Sequence, residues 1–174
     1  MEIQELLTTY WSQFTLLLLG VGYFIKRVFD NISNKREINH NLFQQHRLNA
    51  INKFFTSYAK TERMWNDLSV IPIFEYKINT KEMDKIIFTP IDQLRMNILE
   101  LQIYFPEKEH RIFKDILKNV LKINGKLNSI YFSYDKETTV TVKSNNFSFV
   151  RDSKLEENEK LLEKLSEIIR KTFN

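Results

Sequence analysis

No glycine or proline interrupts residues 23–71, and a stretch of that length without either breaker is compatible with little except long helix. Apolar residues recur through it at helical spacing, among them Ile51, Phe54, Tyr58, Trp65 and Leu68. Asp30, Asn31, Ser33 and Asn34 crowd into five positions and favour turns and caps, which allows a kink there. The chain of 174 residues has only three Gly and three Pro, too few for the turns of a sandwich or a barrel. The expected class is all-α: one helical domain plus an appendage.

The appendage lies at the start. Residues 6–25 carry no formal charge, and as a helix they reach about 30 Å, the hydrocarbon thickness of a bilayer. The chain begins with the acidic Glu2 and Glu5 and runs from Ile25 into Lys26 and Arg27. A cleaved signal peptide would have a basic start and a small-residue cleavage site, so the segment reads as an uncleaved anchor. Lys26, Arg27, Lys35 and Arg36 follow it, and no Lys or Arg precedes it. The positive-inside rule therefore puts the N-terminus outside and the rest in the cytoplasm. Residues 1–30 are read as a transmembrane helix and residues 31–174 as a cytoplasmic helical bundle. Beyond residue 25 the formal balance is +6, which suits a surface near acidic lipid or RNA.

Five polar residues make this anchor less apolar than a lone span. Thr8, Ser12, Thr15 and Leu19 fall within an arc of about 60° on a helical wheel, and Lys26 continues it. Thr9 and Gln13 widen that side, while Leu7, Trp11, Phe14, Leu18, Val21 and Ile25 occupy the opposite face, which suits lipid. Polar residues in a span face other helices or water, so a ring of such helices could enclose a hydroxyl-lined path with Thr8, Ser12, Thr15, Leu19 and Lys26 along it. Simple helix packing through Thr and Ser, or burial inside a soluble protein, would use the same residues.

Further on, Pro72 is expected to end the long helix, and Asn79-Thr80 to cap a short one over residues 81–88. Thr89-Pro90 reads as a cap and first-turn proline opening another helix that lasts to Pro106. Residues 107–134 read as a helix on the spacing of Phe113, Ile116, Val120, Ile123 and Leu127. Residues 136–143 alternate like a strand without a partner, which predicts a long loop or small hairpin reaching to residue 150. Asp152-Ser153 should then cap the last amphipathic helix.

The inventory for chemistry is thin. There is no Cys and there are three His, which leaves no thiolate and little for a metal. No cofactor motif is present, such as a Gly-rich phosphate loop or a His-Glu-x-x-His. His40 and His46 lie six apart, about 240° around a helix, on different faces. The amide-rich run around them, residues 39–47, suits an exposed face or a wet vestibule.

One local pattern is sharper. Arg151-Asp152-Ser-Lys-Leu-Glu156 stands at the expected start of the last helix, where helical domains of the HEPN superfamily place an Arg-polar-x-x-x-His ribonuclease motif. Here the last position is Glu156, whose charge would repel a phosphodiester. Arg36-Glu-Ile-Asn-His40 is one residue too short for the same pattern. A marginal N-terminal span, a basic cytoplasmic exit, an all-helical domain and this degenerate motif together resemble the small membrane accessory proteins of type VI-B CRISPR systems, which carry a divergent HEPN domain. The resemblance covers the whole chain as architecture and only Arg151 and Asp152 as motif. It implies a homo-oligomeric ring in the bacterial inner membrane. That ring would form a pore among membrane lipids and strengthen antiviral defence beside an RNA-guided ribonuclease, with no enzymatic activity of its own. Two other readings fit the residues: a membrane-tethered domain that binds or cleaves RNA through Arg151 and Arg111, and a scaffold that recruits a cytoplasmic partner.

Overall fold

A computed structural model describes residues 3–75, 78–132 and 138–173. Among the described residues it contains five helices and no strand: α1 (Ile3–Asp67), α2 (Val70–Phe74), α3 (Thr80–Leu101), α4 (Glu107–Tyr131) and α5 (Val140–Phe173). The all-α expectation holds. The chain divides into two compact units, Met1–His46 and Arg47–Asn174, and the expected anchor lies within the first.

The first unit is the α1 segment up to His46. Helix passes through Asp30, Asn31, Ser33 and Asn34 without interruption. Every residue from 15 to 43 is exposed, including Leu16, Leu17, Leu18, Leu19, Phe24 and Ile25. The expected membrane span finds no support in hydropathy. Among the described residues no helix is long and apolar enough to cross a membrane, because Gln13, Thr15 and two glycines dilute the leucines and Lys26-Arg27 closes the run.

The second unit packs the remainder of α1 with α2–α5, and its most extensive contact is between α4 and α5. Its core forms because each helix carries apolar residues every third or fourth position. Phe54, Trp65, Phe113 and Phe147 are wholly buried, with Ile116, Ile123, Leu127 and Leu165 around them. The Phe113 ring meets Phe54 edge-on, with centroids 4.8 Å apart, and lies 5.2 Å from Phe105.

Local signals misled at three places. The long helix stops at Asp67, before Pro72, and Pro72 sits instead in the first turn of α2, where a missing N–H costs nothing. The two helices expected around Thr89-Pro90 are one, α3, capped by the Asn79 side chain, which accepts from the Glu82 N–H at 2.9 Å. Thr89 does not cap; its hydroxyl bonds back to the Lys85 carbonyl at 3.0 Å. The buried row Met83, Ile87, Ile91, Leu94, Ile98 and Leu101 runs straight past Pro90, and packing of that row outweighs the bond the proline removes. Finally, the loop or hairpin expected up to residue 150 is helix from Val140 onward. Thr139 opens it, its hydroxyl accepting from the Val142 N–H at 3.4 Å. Val140 and Ser144 are half-buried and Phe147 fully buried, the spacing of a helix face rather than a strand.

Candidate functional site

Two sets of residues were singled out by sequence, one on each unit. On the first, the arc rests on α1 geometry. The side chains of Thr8 and Ser12 lie outside the described residues. Thr15, Leu19 and Lys26 are exposed and share one helical face. The Thr15 hydroxyl donates to the Trp11 carbonyl at 2.8 Å, so its proton is satisfied within the helix and its lone pairs remain outward. A Cβ placed on Gly20 or Gly22 would meet nothing within 4 Å, which leaves that side open to a close neighbour. His40 and His46 are exposed, and among the described residues no three His, Asp or Glu gather as a metal site.

The amide-rich run ends differently from the expectation of a fully exposed or wet face. Gln44 is half-buried and Arg47 is 8% exposed, its guanidinium 4.4 Å from the centre of the Phe105 ring. Burial lowers its basicity and the Glu109 charge opposes that.

On the second unit, the degenerate motif lies well inside α5 rather than at a helix start. Arg151 Nε donates to Asp152 Oδ1 at 2.8 Å, and Nη1 reaches the Trp65 carbonyl at 3.5 Å. That carbonyl is in the last turn of α1, which carries no basic residue of its own. The guanidinium therefore supplies the cation that the negative end of the helix favours. Its side chain is 20% exposed. Glu156 does not join it; Lys160 takes the carboxylate at 2.7 Å and holds it below the usual carboxylate range. The structure thus brings Arg151 and Asp152 together and leaves Glu156 on another face. Arg151→Ala should lower stability by about 1–2 kcal/mol, since a charge-assisted bond to a helix end is lost. Urea unfolding would measure it, and an unchanged midpoint would assign Arg151 no structural part.

Sequence reasoning missed the buried polar residues. Asn119 donates to Asn158 at 2.9 Å and Asn158 reaches the Ile116 carbonyl at 3.5 Å, joining α4 to α5 inside the core. The Tyr58 hydroxyl is buried without a hydrogen-bond partner among the described residues, and His110 Nε2 lies 2.8 Å from the Ile98 carbonyl. The signal was present: each of these stands at a core-facing position of its helix, with Asn119 beside Ile116, Val120 and Ile123.

Compared with known protein families, with curated proteins and with solved structures, the chain matches none.

Proposed function

We propose that this chain is a membrane-anchored homo-oligomer whose N-terminal helices line a pore, acting in antiviral defence beside an RNA-guided ribonuclease. The observation that carries the reading is the first unit itself. Its helix exposes a run of large apolar side chains from Leu16 to Ile32, and nothing in its own unit covers them. Surfaces of that extent are covered by lipid or by other protein. A helix that turns a polar face to its neighbours can sit in a bilayer at a lower mean hydropathy than a span standing alone. This reconciles the anchor with a run that falls short as a lone crossing. Thr8, Ser12, Thr15 and Leu19 would line the path, and Lys26 would sit at its cytoplasmic mouth and bias ion preference.

The defence role comes from the resemblance to the type VI-B accessory proteins. The engagement of Arg151 by Asp152 and α1, and of Glu156 by Lys160, favours a retained helical fold over an RNA-cleaving site. Ser12→Leu with Thr15→Leu should abolish ion conductance of reconstituted protein while membrane insertion persists. A double variant that conducts like the parent would sink the assigned pore face.

A further inference from the structure

One subset of the apolar residues of the first unit follows a rule stricter than one apolar face. Starting at Leu7 they recur at alternating steps of four and three, through Trp11, Phe14, Leu18, Val21, Ile25, Val28 and Ile32. This is a repeat of about 3.5 residues per turn, which keeps a stripe facing a partner helix as the two supercoil. Lipid imposes no such register. The stripe also crosses Lys26-Arg27 without a change of phase, so Val28 and Ile32 lie past the basic exit, where acyl chains end. They are nevertheless 42% and 47% exposed, and Leu42 returns to the same phase further on.

We infer that the part of this stripe beyond the pore-lining arc, from Ile25 to about residue 42, is the surface on which copies of the chain pack in parallel and in register, as a coiled coil at and past the membrane exit. The occupant is the same helix because only a partner of the same period fits along the whole length. Side by side, each apolar layer meets its own kind. Phe24 stands five residues before Phe29, the offset at which flanking positions of neighbouring parallel helices touch, and both rings are exposed. Lys26, Arg27 and Asp30 fall off the stripe. Asn39 falls on it, in phase with Ile25 and Ile32, where a buried amide pair fixes register. Lys35 is the one charged residue on the stripe before Leu42, and its ammonium can reach outward along its stem. β-Branched residues at both kinds of layer position, Ile25 and Ile32 in one and Val21 and Val28 in the other, favour more than two helices.

This inference rests on the oligomer of the reading above and not on its pore. The natural chain has no cysteine, so single Cys variants of the full-length membrane protein report position without background. Val28→Cys and Ile32→Cys should form covalent pairs under mild oxidation with about tenfold the yield of Asp30→Cys and Asn34→Cys, because a disulfide needs Cβ atoms within bonding reach. Equal yields at the four positions, or no pairs at the first two, would overturn the seam. Pairs at Val28 and Ile32 in a protein that conducts no ions would keep the seam and remove the pore, whereas conductance without those pairs would do the reverse.

Discussion

Phe113→Ala is expected to lower the unfolding free energy of the second unit by about 3–5 kcal/mol, a large share of the roughly 5–15 kcal/mol that holds a domain folded. The ring is wholly buried and lies where α4 meets α1. It contacts Phe54 edge-on at 4.8 Å and Phe105 at 5.2 Å. Removing it deletes both aromatic pairs and leaves a void between α1, α4 and the segment that holds Phe105. Phe113→Leu keeps most of the volume and should cost about 1–2 kcal/mol. Urea titration of the full chain, followed by the fluorescence of the buried Trp65, separates the two. If the alanine variant shifts the midpoint no further than the leucine variant, the aromatic cluster does not anchor the bundle.

Raising the pH from 10 to 12 should destabilise the same unit through Tyr58. Burial pushes its hydroxyl up to about 12, with the Glu62 and Glu159 charges adding to the shift and Asn158 opposing it. In the unfolded chain a tyrosine titrates near about 10. Below pH 10 both states keep the proton and Tyr58 contributes no slope. Between 10 and 12 only the folded state keeps it, so stability falls by about 1.4 kcal/mol per pH unit, or about 2–3 kcal/mol in all, and levels off above 12. Tyr58→Phe removes this component. The hydroxyl makes no hydrogen bond of good geometry although Asn158 lies near it, so the variant should match the parent at pH 8 to within about 1 kcal/mol. Urea midpoints at pH 8 and pH 11.5 test both statements. A phenylalanine variant that loses as much as the parent would place the alkaline sensitivity elsewhere.

The helices were legible wherever burial and local preference agreed. In α4, Phe113, Ile116, Val120, Ile123 and Leu127 form one row in the sequence and one buried row in the bundle. At Pro90 they disagreed. The local rule reads a first-turn proline, yet the apolar row on either side of it keeps phase, and that longer pattern was the better guide. Val140 and Val142, separated by a threonine, imitate a strand over a few residues. The helical spacing from Val140 through Ser144 and Phe147 appears only in a longer window. The motif at Arg151 was legible as residues but not as a role, because its contact with Trp65 joins positions 86 residues apart. The heptad of the first unit is visible in the letters alone. A wheel drawn at 3.6 residues per turn smears a 3.5 repeat into a broad apolar side and hides the repeat.

The second unit is closed by residues far apart in the order of synthesis. Trp65 belongs to α1, while Phe147, 6.1 Å from its ring, and Arg151 belong to the last helix. At translation rates of about 5–20 residues per second, the 86 residues separating Trp65 from Arg151 take roughly 4–17 s to appear. During that interval the Trp65 ring stands on a nascent chain without the helix that carries Phe147. A copy truncated before residue 147 lacks the ring that faces Trp65. Chaperones and proteases recognise such a surface, so defective copies would be cleared.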